Sequence, residues 1–475
     1  MASTLSTRLW NLSGALALLA LAGVRAAPAS YANDFVNPDY IVNLGNFGNQ
    51  TLAAQATILD WARQSAVGSP WSVMNKTYAP PTGDKHDYLS WSPYWWPDCS
   101  GVGNTTELAP EQIWTTCPYK ARDGQFNPDV RTVNDIGNFQ SLSDAVLYNI
   151  IAWSISGDSS YAESAASWIR VWFLDDATRM NPNLNFAQVE RGPGSTGGTH
   201  TGVLDLKCMT KIVSGILILR KSNSTVWTSD LDNGMNSWVG EYVQWLETTE
   251  IAIEEALSAN NHGSFYYNQL AALKILLGDF TGARNVTDTY FNTLYMAQIV
   301  KGGEQPLEAA RTRPYHYRAY NLAAMITNAR LAEYANPNEP VWNKTTKEGA
   351  TIKDALDFAL TISASASNET SYANELYPNI AAVASIYGDP DGKYTTFLDQ
   401  AEPQFPAEAF YLWDQPFAEK EGLALHPQNI TSPSDSDSNQ DNRSARPKNN
   451  SATSRSVLDS YKLVSVFGFF VYLLI

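Results

Sequence analysis

Cysteine, positive charge and long apolar runs are all scarce in this chain. Three cysteines in 475 residues are too few for a scaffold built on disulfides. Lysine and arginine number 32 against 48 aspartates and glutamates, a formal charge of −16. That balance argues against nucleic acid as a partner and against a broad polyanion-binding face. It leaves room for an anionic ligand held by a few local arginines. The five histidines are scattered, with no His-x-x-x-His pair, so neither a metal nor a cofactor is expected. A Gly-x-Ser-x-Gly nucleophile elbow is missing. The glycine-rich segment 192–198 lacks the Gly-Lys-Ser/Thr of a phosphate loop. It reads instead as a mobile cleft wall ending at His200.

Both ends carry short apolar runs. Arg8, the run Ala15 to Val24 and small residues at Ala26 and Ala27 form a secretory signal, with 1–26 removed. Sequons at Asn49, Asn75, Asn104, Asn223, Asn285, Asn343, Asn368, Asn429, Asn442 and Asn449 fit an exported glycoprotein. Residues 426–452 turn to Ser, Asp, Asn and Pro without periodicity, a disordered stalk. Residues 453–475 end in the apolar run Leu463 to Ile475 with no charge after it. This fits a glycosylphosphatidylinositol attachment signal; a tail-anchored helix is the alternative, although the run is short for a span. Membrane contact is expected only through that lipid, at the cell surface or wall. Cys99 and Cys117 flank a polar loop and are paired, while Cys208 in a helical pattern is a buried thiol.

The hydrophobic fraction of 44% and 15 tryptophans supply a large core, assigned to one domain, 28–425. Amphipathic helical spacing dominates it: Leu142, Val146, Ile150 and Trp153, then Met209, Ile212, Ile216 and Leu219, then Leu270, Leu273 and Leu277. Gly-Asp pairs at 157–158, 278–279 and 388–389 close helices and cap those that follow. Long alternating strands are lacking. The expectation is all-α, an (α/α) toroid of helical hairpins with long cleft-lining loops; a stacked solenoid is the alternative. Residues 69–118, dense in Pro, Trp and Tyr, forbid a long helix.

Two joints carry the chemistry. Asn260-Asn261-His262-Gly263 sits where one helix gives way to the next, and Arg311-Thr312-Arg313-Pro314-Tyr315-His316-Tyr317 opens a later one. An amide, an imidazole, a guanidinium and a phenol are the parts needed to remove a proton beside a sugar carboxylate. In β-elimination of a uronate polymer the C5 proton leaves and the 4-linked oxygen departs. The neighbouring carboxylate is already negative, so preorganised donors must offset its charge. Asn261, His262 and Arg311 are candidates for that role. Tyr317, next to Arg311, is expected to have its pKa pulled below about 10. It serves as acid and base in a syn elimination; in an anti elimination His262 is the base and Tyr317 the acid. Tyr94, Trp95 and Trp96 offer faces for sugar rings, with one of the two tryptophans expected in the core. His86 and Tyr88 suit a distal subsite, and His200 a substrate contact.

The segments Tyr94-Trp95-Trp96-Pro97, Trp172-Phe173-Leu174 leading to Thr178-Arg179-Met180-Asn181-Pro182-Asn183, Asn260 to Gly263, and Arg311 to Leu322 together resemble the alginate lyase-like (α/α) toroid polysaccharide lyases. The resemblance covers about residues 85–330. It implies a lyase of the glucuronan and alginate type, acting as a monomer on an acidic polysaccharide. It matches Asn261, His262, Arg311 and Tyr317 to the family's catalytic set, with Tyr320 and Arg313 as the alternative tyrosine and arginine. Two rival functions stay open: an inverting glycoside hydrolase of the same toroid, and a non-catalytic cell-wall glycan-binding protein. The hydrolase needs two carboxylates across the cleft, for which Asp135, Glu254, Glu255 and Glu308 are the acids at hand.

Overall fold

The computed structural model describes residues 35–67, 70–103 and 108–414. The predicted leader, stalk, anchor segment and the sequons at Asn104, Asn429, Asn442 and Asn449 lie outside the described residues. The described residues belong to a compact unit that ends at Leu425.

The unit is built of helical hairpins. The Asp135–Ser156 helix turns back at Gly157, whose φ of 72° suits glycine, and Asp158 then caps Ser159–Ile169 by accepting from the Ser160 amide at 3.0 Å. Gly278 (φ 76°) and Asp279 do the same between Asn261–Leu276 and Phe280–Asn292. The third pair works differently. Gly388 ends Tyr377–Tyr387, but a short turn intervenes, and Asp389 reaches forward to the amides of Tyr394 and Thr395 in Lys393–Ala401.

The apolar faces meet as their spacing requires. Leu142, Val146 and Ile150 are fully buried, whereas Trp153 is half-buried. Each such aliphatic side chain contributes about 1.5–3 kcal/mol of transfer free energy. The Met209–Lys221 helix lies so close to Asp135–Ser156 that a Cβ at Gly215 would meet Ile150 at 2.7 Å. The Asn261–Leu276 helix is central. It packs against Met209–Lys221, Ser229–Thr248, Phe280–Asn292 and Pro314–Ala335, so it is buried on nearly every side and its polar residues bond inward: Gln269 accepts from the Tyr242 hydroxyl, and Asn268 donates to the Ala324 carbonyl at 2.8 Å.

The aromatic stretch before the hairpins makes a two-stranded antiparallel ribbon. β1 (Trp95–Pro97) pairs with β2 (Tyr119–Ala121), Trp96 opposite Lys120. The Cys99–Cys117 disulfide closes the loop between them, with Cα atoms 4.9 Å apart. Cys208 is buried outside any disulfide. A π-helical turn, Arg170–Leu174, continues directly from Ser159–Ile169 and buries Trp172 and Phe173. Residues 193–197 of the glycine-rich segment are exposed, and close packing begins at its end: Cβ atoms at Gly198 and at Gly202 beyond it would strike the Ala187 backbone at 2.4 and 2.6 Å.

Candidate active site

The Asn261–Leu276 helix starts abruptly. Asn260 caps it, its side chain accepting from the His262 amide at 3.1 Å. A Cβ at Gly263 would lie 2.1 Å from the Ser258 carbonyl, so only glycine lets the incoming turn fold over the first helical turn. Two buried glutamates then fix the side chains. Glu308, on the short Pro306–Ala309 helix, accepts from the Asn261 backbone N–H and from its Nδ2, each at 2.7 Å. Glu255, on Glu250–Ala256, meets Nδ1 of His262 at 2.8 Å with one oxygen and Nδ1 of His200 at 2.6 Å with the other. The Glu255 side chain is 0% exposed, and the two imidazoles keep 19% and 32% exposure. Burial works against the Glu255 charge, but His262 and His200 overcome it and hold the carboxyl below its usual range. Glu308 goes the other way: burial raises it, although Asn261, Arg311 and His262 all act to lower it.

The phenol side is built on cations. Pro314 takes the first position of Pro314–Ala335, which leaves Arg311 in the preceding loop. Arg311 donates to the Tyr317 hydroxyl at 2.9 Å, stacks its guanidinium 3.9 Å from that ring's centroid, and pairs with Asp123 at 2.9 Å. Asp123 follows β2, in a turn seated on Thr312: a Cβ at Gly124 would meet the Thr312 hydroxyl at 2.2 Å. The Tyr94 hydroxyl lies 3.1 Å from that of Tyr317 and accepts from Arg313 at 2.6 Å; Arg313 also bonds the Tyr372 hydroxyl. His316 closes the cluster from behind, held through Nδ1 by Glu375 at 2.6 Å and edge-on to Tyr317 at 4.8 Å. The two sides are joined through Glu308, which bonds Asn261 and feels the charges of both His262 and Arg311.

Several expectations need correction. The Tyr317 phenol is raised, not lowered. Burial and the neighbouring Tyr94 dominate, and Arg311 and Arg313 offset them only in part. Tyr320 stands apart from the cations: Tyr317 is just as buried, but its hydroxyl meets Arg311 and Tyr94, whereas the Tyr320 ring packs between Phe265 and His316 and its hydroxyl is buried without a partner. Tyr88 is fully buried too, donating to Asp205 alongside Ser90 and Gln188; it anchors a core carboxylate and has no face left for a sugar. Trp95 and Trp96 are both half-buried, because a two-stranded ribbon has no second layer to cover either ring. Trp96 donates to the Gln125 carbonyl at 2.8 Å beneath Arg122. His86 is half-buried, Nδ1 on the Arg179 carbonyl at 2.6 Å, a position tied to the 179–183 loop. The acids considered for hydrolysis are otherwise engaged. Asp135 pairs with Lys76 at 2.9 Å with both side chains 0% exposed, Glu255 and Glu308 are clamped as above, and only Glu254 is exposed.

The supporting carboxylates Glu255, Glu308, Asp123 and Glu375 were not singled out for these roles. Glu255 lies seven residues before His262 on a separate helix, Glu308 comes from 47 residues away and Asp123 from 188. Glu255 and Glu308 are visible in the sequence only as acids near the polar loops, with nothing that sets Glu255 apart from the adjacent Glu254.

A family profile described as Alginate lyase matches residues 72–369. Among solved structures, an alginate lyase from Bacteroides ovatus is similar at a TM-score of 0.69 and 27% identity, covering 81% of this chain and 99% of that one. Alginate lyase A1-III from Sphingomonas species A1 matches at a TM-score of 0.43 and 11% identity over 81% and 96%, a likeness too slight to carry an inference. No curated protein matches in sequence.

Proposed function

Because this chain belongs to the alginate lyase family, with its (α/α) toroid fold and its polysaccharide lyase activity on an acidic polysaccharide, we propose that it cleaves a β-1,4-linked polyuronate of glucuronan or alginate type at the Asn261, His262, Arg311 and Tyr317 cluster. The observation that supports this most is the Tyr317 hydroxyl, buried between Arg311 and Tyr94, with Asn261 bonded to the carboxylate of Glu308, whose backbone carbonyl accepts from the Arg311 amide at 3.2 Å.

The steps follow from the contacts. One Asn261 amide hydrogen goes to Glu308, and the second is left for the uronate carboxylate, joined there by Arg311. These donors stabilise the charge that builds as C5 loses its proton. Tyr317, a phenol that burial holds above its ordinary range and so keeps protonated at neutral pH, protonates the departing 4-oxygen. The configuration at C5 selects the base. A hydrogen syn to the leaving oxygen goes to Tyr317, which must first ionise, helped by the guanidiniums of Arg311 and Arg313. A hydrogen anti to it goes to His262, whose Nε2 is left open by the Nδ1 contact with Glu255. Tyr94, Trp95, Trp96 and Arg313 line the approach, with His200 beside His262.

The protein is proposed to act as a secreted, lipid-tethered monomer. The asparagines of the described sequons, Asn49, Asn75, Asn223, Asn285, Asn343 and Asn368, are all exposed, as glycan acceptors must be. Release from the cell surface by a phosphatidylinositol-specific phospholipase tests the tether. Incubating the secreted protein with polymannuronate, polyguluronate, glucuronan and a neutral glucan tests the chemistry. Growth of the ultraviolet absorbance of the conjugated double bond with a uronate is expected. Reducing ends appearing without that absorbance would mean hydrolysis, and sugar bound without cleavage would mean a glycan-binding protein.

A further inference from the structure

We infer that Glu255 is a positioning residue that makes His262 a base, with His200 as its counter-charge. This rests on the assignment of His262 to the site. A carboxylate accepts hydrogen bonds and donates none, so both Nδ1 atoms that meet Glu255, at 2.8 and 2.6 Å, must carry hydrogen. Each ring is thereby fixed with Nε2 as its remaining edge. One carboxylate charge then serves two imidazoles, and the surroundings decide which of them is the cation.

His200 is the more exposed ring. It also faces Glu254, with Nε2 3.7 Å from Oε1, and lies in the field of Glu190. His262 is more buried; beyond Glu255, the nearby charges coupled to it through Glu308 are that carboxylate and Arg311. Three carboxylates around His200 favour the imidazolium there, in line with its raised pKa, caused chiefly by the hydrogen bond to Glu255. With its Nδ1 hydrogen held by the carboxylate it shares with His200, His262 presents Nε2 as its remaining edge, the atom whose lone pair an anti elimination needs. No such demand falls on it when Tyr317 takes a syn proton.

Glu255→Gln tests this directly. A glutamine offers one acceptor and one donor, so one imidazole must move its proton to Nε2. Nitrogen-15 NMR of the free protein, which has five histidines, is expected to show two Nδ1–H rings at His200 and His262 in the native chain and one converted in the variant. On polyguluronate, whose C5 hydrogen is anti, kcat is expected to fall by on the order of 10²-fold, with KM changing far less. The loss on polymannuronate, whose hydrogen is syn, is expected to be at least about tenfold smaller. His200→Gln leaves the whole Glu255 charge to His262, so the acid limb of the polyguluronate pH profile should move to higher pH. Glu255→Asp keeps the carboxylate and should keep both tautomers; it carries the test if the glutamine variant does not fold. Equal losses on both polymers, or an unmoved acid limb in His200→Gln, would overturn the inference. Two Nε2–H rings in the native protein would overturn it even if the native protein proved inactive on every uronate, an outcome that would sink only the proposed function.

Discussion

Both helix starts that build the site have backbone amides on a buried carboxylate, Glu308 for Asn261 and Glu369 for Tyr315 and His316, but the site side chains they carry rest on groups of opposite charge. Asn261 and His262 rest on buried carboxylates, Glu308 and Glu255. Tyr317 rests on a guanidinium and a second phenol, Arg311 and Tyr94. A carboxylate accepts, so it fixes which amide hydrogen and which imidazole nitrogen are left over for a ligand. A guanidinium only donates, so it steers a hydroxyl oxygen and lowers the barrier to ionising it. Acidic support therefore sets the direction of donors, and basic support prepares the acid and base.

Breaking the cationic side at its centre should have the largest effect. Tyr317→Phe removes only the hydroxyl and is expected to lower kcat by about 10³-fold in the absorbance assay while the protein stays folded, at a stability cost of about 1–3 kcal/mol from the hydrogen bonds lost to Arg311 and Tyr94. A near-native rate would remove Tyr317 from the mechanism. Truncating the acidic side's donor comes next: Asn261→Ala should lower kcat by about 10²-fold. Glu308→Gln sharpens the contrast. Its amide cannot accept both Asn261 hydrogens, so roughly 1–3 kcal/mol of stability should be lost along with activity, read from chemical denaturation.

The pH dependence separates the bases. Tyr317 is raised above its ordinary value by burial, so it is protonated at neutral pH and ionises only at higher pH. The kcat/KM on polymannuronate should therefore climb through the alkaline range. A plateau set near neutrality would mean that Tyr317 does not take the syn proton. The smallest effect is expected from Tyr320→Phe. Its hydroxyl is buried without a partner, so deleting it should leave kcat within about twofold and the protein as stable or slightly more so. A loss comparable with Tyr317→Phe would reverse the choice between the two tyrosines.

Local signals proved readable where their cause was local. Gly157, Gly278 and Gly388 each end a helix at positive φ, because a left-handed residue is set by the absence of a Cβ. Pro314 opens its helix, which places Arg311 and Tyr317 together despite a separation of six residues. The apolar spacing of Leu142, Val146 and Ile150 marked a core face. Burial of Tyr88 and Tyr320 was not readable, because an aromatic in a polar segment looks the same whether it faces a cleft or an interior. The shift of Tyr317 was misjudged for a related reason: an adjacent arginine is visible in the chain, and the desolvation that outweighs it is not.

By itself, then, the sequence determined the helical hairpins, the disulfide between Cys99 and Cys117, and the residue types of the site, since periodicity, glycine and proline conformations and short loops act over a few residues. Only the tertiary structure decided which carboxylates stand behind Asn261 and His262, which tyrosine meets Arg311, and how far burial moves each proton. Those depend on atoms brought together from as far as 223 residues apart, as with Tyr94 and Tyr317, and on the exclusion of water that only packed helices provide.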